Sequence, residues 1–130
     1  MSSVYTSKFP IFTVACSSRK DFGERLAIGS MIEGKSNTVE VIAASSSNKN
    51  RFSCITSFEH KLPPSKLMWF PEHDSSNPDL LVTSSDTLKI WEVTDNQEVE
   101  LRSSLWNVHP ILNSNLKDRT GRILCSSDLF

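Results

Sequence analysis

Short apolar runs separated by polar turns constrain this chain more than any other feature of its sequence. Residues 25–32 form a largely apolar run, and residues 38–42 alternate between apolar and polar side chains. Alternate positions from Phe52 to Phe58 also share one face of an extended segment. No segment sustains the 3.6-residue period of an amphipathic helix. The first half of the chain therefore predicts a meander of four strands.

The same pattern recurs in the second half. A further set of strand-like runs begins at about residue 66. When runs of the same type are matched, Leu80 is equivalent to Leu26 and Ile90 is equivalent to Val41. The offset is about 50 residues, which is typical of propeller blades of four short strands. A two-sheet sandwich has no reason to repeat at that period. Chance similarity between two meanders is the alternative that periodicity alone leaves open.

Four residues of the second unit resemble those of a WD repeat in type and order. His60 lies near the start of the unit, Thr83 lies on its second strand, Asp86 fills a tight turn, and Trp91 lies on the third strand. The resemblance implies a structural string of hydrogen bonds, because an imidazole needs a fixed tautomer, a buried carboxylate needs donors, and an indole N–H needs an acceptor. The alternative is that His60 is a surface histidine and Trp91 an ordinary core residue.

Longer segments resemble the amino-terminal part of one WD-repeat group. They are residues 5–18, 25–33, 58–60, 64–69 and 78–93. The group contains the plant transparent-testa-glabra and anthocyanin-eleven proteins, the light-regulated WD proteins of the clock, and their animal relatives. The resemblance implies a scaffold without enzymatic activity that holds MYB and basic helix-loop-helix transcription factors together in the nucleus and cytoplasm. Its expected processes are flavonoid pigment synthesis, epidermal cell fate and clock control.

The predicted fold is all-β, a partial WD-repeat β-propeller of about two four-stranded antiparallel blades with an irregular carboxy-terminal tail. We expect a flexible amino terminus at 1–8, a first blade-like repeat at 9–58, a second WD-type blade at 59–105 and a divergent tail at 106–130. Beyond Leu105 the family pattern stops. A truncated or alternatively spliced product, or a gene model running into unrelated sequence, would look like this.

Two other functions stay open beside the transcription scaffold. One is an inert or dominant-negative fragment, and the other is a substrate receptor of a cullin-type ubiquitin ligase. Two blades alone leave apolar faces uncovered, so we also expect self-association through the open faces.

Composition argues against several classes of function. Fourteen basic and fifteen acidic residues give a net charge of −1, which predicts no direct nucleic-acid binding. No apolar run is long enough to span a membrane. No nucleophile motif is present and the glycines are scattered, so we expect no catalysis and no cofactor. The histidines and cysteines lack metal-ligand spacing, and the odd cysteine count favours a reducing compartment. The residues concerned are His60, His73, His109, Cys16, Cys54 and Cys125.

Overall fold

The computed structural model describes residues 3–19, 21, 23–45, 47, 51–71, 76–107 and 123–124. Within these residues the chain forms nine β-strands and no helix, so the predicted all-β class is confirmed. The strands are β1 (Ile11–Cys16), β2 (Arg25–Ser30), β3 (Asn37–Ala44), β4 (Phe52–His60), β5 (Lys66–Trp69), β6 (Asp79–Ser84), β7 (Thr87–Val93), β8 (Val99–Asn107) and β9 (Ile123–Leu124).

The strands form two antiparallel meanders. Strands β1 to β4 make a four-stranded sheet in chain order, and β5 to β8 make a second sheet in the same order. The two-residue β9 adds a fifth strand to the outer edge of β8. The predicted boundary between residues 58 and 59 falls inside β4, because the last strand of the first sheet continues to His60. Apart from the end of β8 and β9, the predicted tail at 106–130 lies outside the described residues.

The core lies between the two sheets. Val39 and Val41 alternate with polar or outward-facing residues on β3, so they share one face with Ala27 of the adjacent β2. The second sheet presents its own alternate residues to that face. The buried residues that form this seam are Ala27, Val39, Val41, Leu67, Trp69, Leu81 and Val93. Burial of these side chains is the main force that holds one sheet against the other.

Polar contacts also cross the seam. Arg25 of β2 forms an ion pair with Asp79 of β6, with 2.5 Å between the guanidinium Nη2 and the carboxylate Oδ2, and both side chains are buried. The same guanidinium lies 4.9 Å from the centre of the Trp69 ring. The Trp69 indole N–H in turn donates to the backbone carbonyl of Ala15 at 3.2 Å. A buried charge is tolerated only when it is paired, so these contacts fix the relative position of the two sheets.

At Gly29, strand β2 comes close to the connection between β4 and β5. A Cβ atom at this position would lie 2.5 Å from Cγ of Pro64 and 2.8 Å from Cγ2 of Thr13. Real Cβ atoms do not approach that closely, so the position requires glycine for contact rather than for an unusual φ angle.

The first sheet buries part of its outer face beneath the amino-terminal segment. Ile28, Glu40 and Ile42 lie on the face directed away from the second sheet, and all three are buried. The hydroxyls of Tyr5 and Ser7 each make a long hydrogen bond of 3.4 Å to the Glu40 carboxylate. The segment predicted as a flexible amino terminus at 1–8 therefore contacts the sheet through these two side chains.

We expect the 130-residue chain to self-associate. Val14 on the outer face of the first sheet is 51% exposed, and Met68 on the outer face of the second is 55% exposed. Because exposed apolar sheet faces of separate molecules associate with one another, sedimentation velocity should show larger species as the protein concentration rises. Replacing Val14 and Met68 together by lysine should shift the population toward monomer, whereas Asn96→Lys in an exposed turn should not. A concentration-independent monomer of the parent chain would contradict the expectation.

Candidate functional site

His60 is the last residue of β4, in the first sheet, and its side chain is 1% exposed. Its Nδ1 lies 2.5 Å from the backbone carbonyl oxygen of Leu62. A carbonyl can only accept, so Nδ1 carries the proton and Nε2 is left as an acceptor. The contact fixes both the tautomer and the orientation of the ring.

Thr83 of the second sheet links this histidine to Trp91. The Thr83 hydroxyl lies 2.9 Å from His60 Nε2 and 2.9 Å from Trp91 Nε1. With the His60 tautomer fixed, the hydroxyl donates to the imidazole and accepts from the indole. The Thr83 side chain is fully buried, so its bond to His60 is shielded from water, and its bond from Trp91 is partly shielded. We call these three residues the His60 network.

The network joins the two sheets because its members come from both. Phe58 of β4 reinforces it, since its ring lies 4.4 Å from the Trp91 ring between centroids at a tilt of 40°. His60 and Phe58 are separated by one residue on β4, so they share one face of the strand. The network is thus a polar contact with an aromatic neighbour at the junction of the sheets.

The prediction that Asp86 belongs to the string needs correction. Both ring nitrogens of His60 already have partners, so the imidazole has no position left for a carboxylate. Asp86 Oδ1 instead accepts from the hydroxyls of Ser85 at 3.0 Å and Thr87 at 3.5 Å, within its own turn. The hydrogen bond from the Ser85 side chain, supported by a backbone hydrogen bond from Thr87, lowers the pKa of Asp86, although desolvation opposes the shift. The carboxylate influences His60 only as a nearby charge.

Sequence reasoning missed the Arg25–Asp79 pair. Arg25 opens the apolar run 25–32, and Asp79 stands immediately before another apolar run. A charged residue at the start of a strand usually has a solvent-exposed side chain. Only the packing of one sheet against the other shows that these two charges meet. Their positions at equivalent points of the two meanders were the available signal.

Two polar grooves flank this ion pair on the same side of the molecule. One has a volume of about 250 Å³ and is lined by Arg19, Asp79 and the turn after β7. The other has a volume of about 340 Å³ and lies against Arg25 and the same turn. In the described part of the chain no group of three His, Cys, Asp or Glu side chains is arranged to hold a metal ion. Nor do those residues include a helix that could cross a membrane.

Comparison with known proteins points to the same architecture. No protein-family model matches the chain. The DDB1- and CUL4-associated factor 7 homolog of Dictyostelium discoideum is 43% identical over 105 residues, which cover 80% of this chain. The chain spans 32% of that relative's length. The relative is of WD-repeat type, and the two sheets are consistent with partial WD-repeat propeller blades. This similarity does not single out the plant pigment group.

Removing the shared hydroxyl should destabilise the chain. Thr83→Val leaves the His60 acceptor and the Trp91 donor unpaired in a buried site, at an expected cost of about 2–4 kcal/mol in the free energy of unfolding. Thr83→Ser keeps the hydroxyl and should cost about 1 kcal/mol for the lost methyl group. Urea unfolding of the two variants measures the difference. A loss for valine no larger than that for serine would contradict the stabilising role of the hydroxyl.

The stability of the chain should depend on pH through His60. Burial lowers the pKa of His60 below its ordinary value of 6.5, although the hydrogen bond to Leu62 partly opposes the shift. As the pH falls, His60 is therefore protonated in the unfolded chain before it is protonated in the folded chain. The contribution of neutral His60 to the free energy of unfolding is complete above pH 6.5 and is lost as the pH falls through the lowered pKa of the folded state.

The measurement is the free energy of unfolding across this pH range for the parent chain and for His60→Gln, which does not titrate. The parent should lose stability relative to the variant as the pH falls below 6.5. His73→Gln serves as a control, since it removes one titratable histidine of the sequence and leaves His60 unchanged. Parallel curves for the parent and His60→Gln would contradict the assignment.

Proposed function

We propose that this chain is part of a WD-repeat scaffold that brings other proteins together and has no catalytic role. The observation that carries the proposal is the 43% identity to a WD-repeat-type relative over 80% of the chain, combined with two blade-like sheets. His60 also supports the scaffold proposal, because both of its ring nitrogens make hydrogen bonds and neither is available as a base.

For the partner we propose the adaptor of a cullin-4 ubiquitin ligase. The support is the relative's name, which describes a factor associated with DDB1 and CUL4. The sequence resemblance to plant regulators supports a second candidate, a scaffold for MYB and basic helix-loop-helix transcription factors in the nucleus and cytoplasm. Both proposals require a protein-binding surface and no active site.

Co-purification discriminates the two partners. The tagged chain is incubated separately with purified DDB1 and with a MYB and basic helix-loop-helix pair, and retention is quantified. We expect retention of DDB1. Retention of the transcription factors without DDB1 would favour the second candidate, and retention of neither would indicate an inert fragment.

Two variants control for adhesive faces and for folding. Met68→Lys removes an exposed apolar side chain from an open face, so specific retention should survive it. Thr83→Val weakens the His60 network and should reduce retention together with stability. Loss of binding in Met68→Lys alone would show that the retained protein had only adhered to the uncovered sheet.

A further inference from the structure

A groove lies at the end of the first sheet that carries His60. It has a volume of about 520 Å³ and is formed by two walls. The turn between β2 and β3 supplies Met31, Ile32 and Lys35, and the connection between β4 and β5 supplies Lys61 and Leu62. None of these residues takes part in the core or in the seam.

A buried asparagine holds the first wall in place. Asn37 is 1% exposed, and its side-chain oxygen accepts the backbone N–H of Ile32 at 2.7 Å and the Ser30 hydroxyl at 3.1 Å. Its amide nitrogen donates to the carbonyl oxygens of Ile32 at 3.4 Å and Lys35 at 3.5 Å. One side chain therefore bridges both ends of the turn, and Gly34 provides the positive φ of 70° that closes it.

The second wall is held by His60. Its Nδ1–H donates to the carbonyl oxygen of Leu62, which fixes the backbone two residues beyond the end of β4. Pro63 and the buried Pro64 restrict the next part of the connection. Asn37 and His60 are directly paired across β3 and β4. A single pair of neighbouring residues thus positions both walls.

The surface of the groove is apolar with a positive rim. Met31 is 47% exposed and Leu62 is 40% exposed, so each wall presents an apolar side chain to the solvent. Lys35 and Lys61 are exposed, and neither has an ion pair within the described residues. Glu33 carries the remaining charge of the lining, so the groove has a net positive charge.

We propose that this groove binds an extended acidic peptide segment of a partner protein, with one bulky apolar side chain between Met31 and Leu62. The two lysines face the acidic residues on either side of that anchor. Because the buried side chains of Asn37 and His60 already hold both walls by hydrogen bonds, little conformational entropy is lost when the peptide binds. The proposal rests on the scaffold role only in requiring a protein ligand, and it does not depend on which assembly the scaffold serves.

The test uses a fluorescent peptide with a central leucine flanked by glutamates. Anisotropy is measured on the 130-residue chain carrying Met68→Lys, at concentrations at which sedimentation shows one species. We expect saturable binding of this peptide and at least tenfold weaker binding of the same peptide with lysines in place of the glutamates. Absence of saturable binding, or equal binding of both peptides, would overturn the proposal.

Substitutions then locate the site. Leu62→Ser should weaken binding about tenfold, because an anchor contact worth about 1.4 kcal/mol is lost. Lys61→Glu should weaken it about threefold to fivefold, and Glu33→Gln should strengthen it slightly, as expected for exposed charges.

Arg51→Glu is the matched control, since Arg51 is an exposed cation just before the start of β4, at the end opposite His60. It should leave the affinity unchanged. A loss of affinity in Arg51→Glu equal to that in Lys61→Glu would assign the effect to overall charge and overturn the location. Circular dichroism confirms that each variant stays folded, and co-purification with DDB1 remains a separate measurement of the proposed assembly.

Discussion

The hydroxyl of Thr83 is the point on which the arrangement of the two sheets depends. It stands in a fully buried site and serves the imidazole of one sheet and the indole of its own sheet at the same distance of 2.9 Å. Hydrophobic burial between the sheets is large but not directional. The hydroxyl adds the direction, because its two bonds can be satisfied together only when β4 and β6 take one relative position.

The Arg25–Asp79 pair acts on the same seam by a different route. Burying both charges has a large desolvation cost, so the pair adds less net stability than its short contact suggests. Its effect is on specificity, since any displacement of the sheets would leave a buried charge without its partner. The nearby Trp69 ring accepts the guanidinium on its face and anchors its indole N–H to Ala15 of the first sheet. Apolar packing and polar contacts thus select the same orientation.

The sequence was sufficient for the meanders and for part of the network. Alternating residues such as Val39 and Val41 reveal the strands, because a strand buried on one face must alternate. Asp86 could not be placed by residue order alone, since the number of partners an imidazole can accept depends on the path of the backbone near Leu62. Arg25 and Asp79 were missed for a related reason. Periodicity describes one strand at a time and contains no information about contacts between sheets.

The pairing of Asn37 with His60 links folding accuracy to the shape of the surface. Adjacent positions on a strand point to opposite faces, so a shift of β4 by one residue would turn the imidazole away from Thr83 and would break the pairing of His60 with Asn37. Misaligned strands would therefore lose the contact between the sheets and the alignment of the two walls of the groove in a single event. A ligand that recognises both walls of the groove would in effect report on the alignment of the strands beneath them.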